Sequence, residues 1–342
     1  MANEDEGKLV LYETCDQGIT TITINRPHVR NAVNRATALK LAEAFQAFEN
    51  DSSQKVCIFT GAGNTFCAGY DLHEVAASST ATASSKRRPE REHKRDQAKS
   101  PKSTKAEKAE EAERKPLSPA QPVDKVNGAL GPMGPSRMTF TKPIIAAVSG
   151  YAVAGGLELS LLADIRVAES NAVFGVFCRR FGVPLIDGGT VRLQRVVGLG
   201  RAMDMILTGR AVKADEALAF GLVNRVVVGK GEAVREARRL AEMLLAFPQR
   251  CMRADLVSAH HAAYDAKSLE DALRFEFEGG EGVIQHESLA GAKRFDGGIG
   301  RGGKFDIAAP GDDPGTLGRR AGTAAGAAAG IGGRDETKRS KL

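Results

Sequence analysis

The 342-residue chain has no tryptophan and four tyrosines, and no Phe, Tyr or Trp falls between Tyr70 and Phe140. A long polar segment without these side chains offers a poor platform for base stacking, which argues against nucleic acid as a partner. No run of eighteen apolar residues occurs, and Met1 to Lys8 is acidic without an apolar centre, so neither membrane insertion nor a Sec-type leader is expected. The five cysteines, Cys15, Cys57, Cys67, Cys178 and Cys251, are odd in number, widely spaced and free of any CxxC or Cys/His pattern. A reduced compartment and no metal site follow as expectations.

Large apolar residues are also scarce in two long stretches. Residues 76–137 are dense in Lys, Glu, Ser, Ala and Pro, and residues 308–342 are mostly Gly, Ala and charge. Neither can bury enough apolar surface to offset its ordering entropy. The organisation expected is a domain over 1–307, interrupted by a disordered charged insertion at 76–137, then a flexible tail at 308–342. Within the insertion, Glu and Lys/Arg recur at three- and four-residue spacings over 94–114, compatible with a transient charged helix. About 245 residues are left outside both stretches, an ordinary size for one α/β domain.

The net charge of +6 belongs to these stretches. Residues 86–115 carry twelve basic side chains against seven acidic ones, and residues 334–342 carry four against two. The folded part is therefore close to neutral and is not a basic protein. The last three residues, Ser340, Lys341 and Leu342, spell a peroxisomal import address. The localisation expected is the peroxisome, or a related organelle such as the glycosome, with the import receptor as a partner.

The remaining sequence alternates strand-like and helix-like patterns. Val10–Tyr12 and Ile19–Ile24 are β-branched runs paired around Asp16-Gln17-Gly18. Ala36–Phe48 has Leu39, Leu41, Ala42, Phe45 and Phe48 at roughly helical spacing. Val56–Thr60, Pro143–Val148, Ala163–Ala168, Ala172–Phe174 and Leu222–Val228 are read as short strands, and helices dominate from residue 232 onward.

Two glycine-rich loops, Gly61–Leu72 and Gly150–Leu159, each follow an apolar strand and lead into a helix. Small residues let backbone N–H groups approach a developing negative charge, as an oxyanion hole requires. Glu158 then falls about one turn inside the second helix, where a carboxylate in an apolar cleft can exchange protons near neutral pH.

These residues resemble the enoyl-CoA hydratase/isomerase (crotonase) family. The likeness runs through Ile22–Pro27 with Asn31–Asn34, both glycine loops, Gly188-Gly189-Thr190, Leu207–Arg210 and Ala217–Asn224, and covers 8–75 and 138 to about 305. It implies an α/β fold, a crotonase-like spiral of ββα repeats, with a helical C-terminal region that forms a homotrimer or a dimer of trimers. It further implies an acyl-CoA substrate whose thioester carbonyl is held by the Tyr70 and Gly155 N–H groups, and Glu158 as catalytic carboxylate. No cofactor is implied, because coenzyme A is part of the substrate. Adenine contacts are implied for Ala68, Gly69, Tyr70, Asp71 and Leu72, and phosphate contacts for Arg30.

One departure matters. The resemblance implies a second Glu directly after Phe-Gly-x-Pro, whereas this chain reads Phe174-Gly175-Val176-Phe177-Cys178, with Cys178 in place of the expected acid. Asp187 is the nearest replacement acid and lies near where the family's dienoyl-CoA isomerases carry one; a turn or helix-capping role is the other reading. Cys178 reads as packing. Three functions stay open: a 2-enoyl-CoA hydratase of peroxisomal β-oxidation, an enoyl-CoA isomerase using one carboxylate, and a non-catalytic acyl-CoA- or RNA-binding member of the fold.

Overall fold

The computed structural model describes residues 8–74, 76 and 130–300. A six-stranded sheet of order β1-β2-β3-β4-β6-β9 forms its centre: β1 Val10–Thr14, β2 Ile19–Ile24, β3 Val56–Gly61, β4 Ile144–Val148, β6 Ile165–Glu169 and β9 Arg225–Val227. The first pair is an antiparallel hairpin, with Tyr12 opposite Ile22. The other pairs are parallel, and each crosses over through helix or loop, so the strands are apolar on both faces. A small second sheet, β5-β7-β8, comprises β5 Tyr151–Val153, β7 Val173–Gly175 and β8 Val212–Lys213. The α/β spiral and the helical C-terminal region expected from the sequence are both present.

Period-two alternation divides the core. Val56 and Ile58 of β3 and Ile145 and Ala147 of β4 turn to one face and meet Ala233, Ala237, Leu240 and Ala241 of α6 (Glu232–Leu245 below). Cys57 and Phe59, with Ile144, Ala146 and Val148, turn to the other and join the larger cluster. That cluster includes α1 (Arg35–Asn50), whose Leu41, Phe45 and Phe48 recur along one stripe. Phe45 meets Phe59 edge-to-face at 5.1 Å. Asn34 caps α1 by accepting the Thr37 N–H at 2.9 Å.

The further helices are α2 Gly155–Ser160, α3 Gly189–Val197, α4 Leu199–Thr208, α5 Ala214–Phe220, α6 Glu232–Leu245, α7 Gln249–Tyr264, α8 Leu269–Val283 and α9 Leu289–Asp296. A π-type turn at Ile284–Ser288 joins the last two. Among the described residues, no helix is long and apolar enough to cross a membrane.

The insertion boundary drawn at residue 137 is corrected by the structure. Residues 130–137 belong to the fold: Met133 is fully buried, and Pro135 and Ser136 lie in a buried 3₁₀ turn. Composition concealed this because one buried methionine among glycines and prolines barely changes a window average. The rest of the insertion beyond Ala76, the tail at 308–342 and the Ser340-Lys341-Leu342 address lie outside the described residues.

Candidate active site

The two glycine loops pack backbone against backbone. Phe66 N–H donates to Ser149 O at 2.8 Å, Cys67 N–H to Tyr151 O at 2.8 Å and Val153 N–H to Cys67 O at 3.1 Å. A Cβ on Gly156 would overlap the Cys67 carbonyl, so the approach requires glycine there. Asn31, buried in the left-handed region at φ 56°, pins the first loop by donating to Ala62 O at 2.9 Å and Thr65 O at 2.6 Å.

Ala154 begins α2 at φ 53° and ψ −126°, a conformation that costs a non-glycine residue about 1–3 kcal/mol. It is held by its N–H bond to Gly175 O at 2.9 Å. The following N–H, that of Gly155, has no protein acceptor among the described residues, and neither has that of Tyr70. Gly69, at φ 103°, brings the loops together so closely that a Cβ there would lie 3.1 Å from the Gly155 nitrogen. Two unpaired donors therefore open on one cavity, where they can receive an anionic oxygen.

The cavity has a volume of about 410 Å³. Ala68, Tyr70, Leu72, Gly155 and Glu158 of the two glycine loops line it, together with Phe177, Cys178, Phe181, Val183, Ile186 and Asp187 from the segment after β7 and Pro132 and Met133 from the turn before β4. Glu158 is 3% exposed, and its Oε1 accepts the N–H groups of Asp187 at 2.9 Å and Gly189 at 2.8 Å. Gly189 is required for this contact, since a Cβ would stand 2.8 Å from Glu158 Cγ. Burial, and next the neighbouring Asp187 charge, push the Glu158 carboxyl up to about 7; the two N–H bonds and Arg192 oppose them.

Asp187 is equally enclosed, at 3% exposed. Its Oδ1 accepts the Met133 N–H at 3.0 Å and the Ser136 hydroxyl. Burial raises its carboxyl, against the pull of these two donors and of Arg137 and Arg192. The capping role is excluded, because Gly188 occupies the N-cap of α3 and no side chain caps that helix. Each carboxyl is thus anchored by one oxygen, while Glu158 Oε2 and Asp187 Oδ2 have no protein partner among the described residues. Such a pair can take up and release a proton as a unit.

Cys178, read as packing, does line this cavity, although it is only 8% exposed. Burial and the Glu158 carboxylate raise its thiol, so it faces the site as a neutral group. Asp71 is not among the lining residues: its carboxylate accepts from Arg26 at 3.2 Å and from His73 N–H at 3.2 Å, holding the loop. Gly69 and Arg30 do not line the cavity either; the Arg30 carbonyl takes the Ala68 N–H at 3.0 Å, and its side chain is exposed.

Sequence reasoning missed Met133, Ser136 and Arg192. The Arg192 guanidinium donates to Ser136 O at 2.8 Å and Asp187 O at 3.3 Å, and also lines a second cavity of about 660 Å³ beneath α7. The signal for the first two lay in Gly131-Pro132-Met133-Gly134-Pro135-Ser136, a turn-forming run unlike the charged sequence before it.

The family description Enoyl-CoA hydratase/isomerase matches residues 14–104 and 136–296. The chain is 33% identical over 228 residues to Probable enoyl-CoA hydratase 1, peroxisomal, of Arabidopsis thaliana, covering 67% of this chain and 69% of that protein. It is 33% identical over 228 residues to the Short-chain-enoyl-CoA hydratase of Clostridium acetobutylicum, covering 66% and 72%. The crystal structure of an enoyl-CoA hydratase from Mycobacterium tuberculosis H37Rv superposes with a TM-score of 0.66 at 30% identity, covering 84% of this chain and 96% of that one. The chain belongs to the enoyl-CoA hydratase/isomerase, or crotonase, family. It is an enzyme of the hydratase/isomerase class.

Proposed function

We propose that the protein hydrates 2-enoyl-CoA thioesters of fatty acids. The thioester carbonyl accepts from the Tyr70 and Gly155 N–H groups, each donor contributing about 3 kcal/mol once the oxygen becomes an enolate. Glu158 takes a proton from water as the oxygen adds to C3, and the Glu158/Asp187 pair returns a proton to C2. Ala68 and Leu72, which line the cavity, contact the CoA moiety, with Gly69 and Asp71 shaping that loop and the exposed Arg30 meeting a phosphate. No cofactor or metal is needed, since coenzyme A is carried by the substrate. The observation that carries this reading is the pair of anchored carboxyls, each with one unpartnered oxygen, in the cavity that receives the two free N–H groups.

A second reading, double-bond migration with one carboxyl moving a proton between C2 and C4, is favoured by the neutral Cys178 where family hydratases carry an acid. One experiment separates the two. Purified protein is given 2-enoyl-CoA and 3-enoyl-CoA in heavy-oxygen water; label in a 3-hydroxyacyl product supports hydration, whereas migration without label overturns it.

The finer assignment is to peroxisomal β-oxidation. The Ser340-Lys341-Leu342 address and the peroxisomal designation of the Arabidopsis relative support it. Removing Leu342 is expected to leave a fluorescent fusion in the cytosol, and continued import would refute the address. A homotrimer, or a dimer of trimers, is supported by the exposed Leu199, Met203 and Leu207 along one side of α4. Light scattering tests it, and a monomer would contradict it.

A further inference from the structure

We propose that Ser136 is a positioning residue of this site: its hydroxyl, donated to Asp187 Oδ1, fixes the carboxyl that works beside Glu158. The inference rests on the reading of Asp187 as a partner in the acid/base work. Ser136 sits 51 residues before Asp187, is 1% exposed and touches the cavity only through that carboxyl.

The turn that presents Ser136 is itself tied down. Gly131 and Gly134 exchange backbone bonds at 2.8 and 3.2 Å, and Met138 N–H closes on Pro135 O at 2.8 Å. Gly134, at φ 81°, lies so near the Ala38 carbonyl that a Cβ would overlap it, seating the turn on α1. A Cβ on Gly131 would run into Ser136 Oγ and Asp187 Oδ1, so glycine there keeps the space in which the two meet. Arg192 closes the bracket by donating to the carbonyls of both Ser136 and Asp187. With Oδ1 occupied by the hydroxyl and the Met133 N–H, the carboxyl cannot turn freely, and Oδ2 is the oxygen left for chemistry.

A hydroxyl donated to a carboxylate also favours its ionised form. The charged and titratable groups around Asp187 are Glu158 on α2, Arg192 on α3 and Arg137 on the same turn as Ser136, with Cys178 facing Glu158 from the 3₁₀ turn Phe177–Phe181. Replacing Ser136 alters none of these charges. Loss of the donor therefore lets Asp187 hold its proton to higher pH, and the acid limb of the rate profile moves upward.

The test is steady-state kinetics of the full chain on 2-enoyl-CoA. Ser136→Ala is expected to lower kcat about tenfold with KM within about twofold, and to move the acid limb of kcat/KM to higher pH. On an Asp187→Asn background, Ser136→Ala should cost nothing further, because the two act as one unit. Ser136→Cys keeps a weaker donor and should give a smaller shift of the same limb; it carries the test should Ser136→Ala fail to fold. Independent, additive losses, or an unmoved limb in a protein that Asp187→Asn cripples, would overturn the positioning role alone. An Asp187→Asn variant with undiminished kcat would instead overturn the acid/base reading of Asp187 on which it rests.

Discussion

The two walls of the cavity are built on different principles. The wall carrying Tyr70, Gly155 and Glu158 is backbone geometry: two loops interlocked by main-chain bonds, a positive φ at Gly69 and a strained Ala154 that begins α2. The wall carrying Cys178 and Asp187 rests on side-chain contacts, held by a hydroxyl and an N–H from one turn and a guanidinium from α3. A main-chain wall tolerates little variation, because its donors have no substitutes. A side-chain wall can exchange one acid for another if its supports change too. On this wall the chain has the thiol of Cys178 and the carboxyl of Asp187, the latter held by Met133 and Ser136.

The sharpest way to break that contrast is on the main-chain wall. Glu158→Gln keeps the shape and an acceptor for both N–H groups but removes the proton exchange, so kcat should fall by about 10³-fold; turnover within tenfold of the parent would remove Glu158 from the chemistry. The same variant should be more stable at alkaline pH. A carboxyl lifted to about 7 by burial binds more protons folded than unfolded between its unfolded value, near 4.5, and 7. Its contribution to stability is thus complete below about 4.5 and lost as pH rises through 7, on the order of 3 kcal/mol for this nearly buried group. Thermal unfolding of parent and variant from pH 5 to 8 should show the advantage of Glu158→Gln growing with pH, and a constant difference would contradict the raised carboxyl.

Ala154→Gly probes the strain stored on that wall. Relief of the unfavourable φ should outweigh the greater freedom of the unfolded chain, with a net gain of about 1 kcal/mol in chemical denaturation. A loss of stability would show that Ala154 is not strained. Cys178→Ala tests the other wall. If the neutral thiol only fills space, kcat changes by no more than about threefold; a loss above tenfold would make Cys178 part of the chemistry.

The same contrast explains what could be read in advance. Glu158 was legible because the glycines that fix it are adjacent in sequence, and a strand, a glycine loop and a helix start leave few places for the fourth residue of that helix. The hairpin β1–β2, the strands β3 and β4 and the helices α1, α6 and α7 were legible from periodicity. Strands β5 and β8, of three and two residues, were too short to show a pattern. Asp187 was legible only as an alternative, since a turn residue before a helix serves equally well as a cap; the donors that anchor its carboxyl come from Met133 and Ser136, 54 and 51 residues away. Those partners were lost in the compositional bias of the insertion before them. Asp71, associated with the ligand through its loop, has its carboxylate paired with Arg26 in the fold, a partner 45 residues away that no local pattern shows.

Whether the backbone donors and Glu158 work together with the Asp187 carboxyl is decided by kcat of Asp187→Asn on a 2-enoyl-CoA substrate. A fall of about 10²-fold with KM within about threefold is expected, the loss of one partner in proton exchange. A kcat within threefold of the parent, in a protein as stable as the parent, would remove Asp187 from the chemistry.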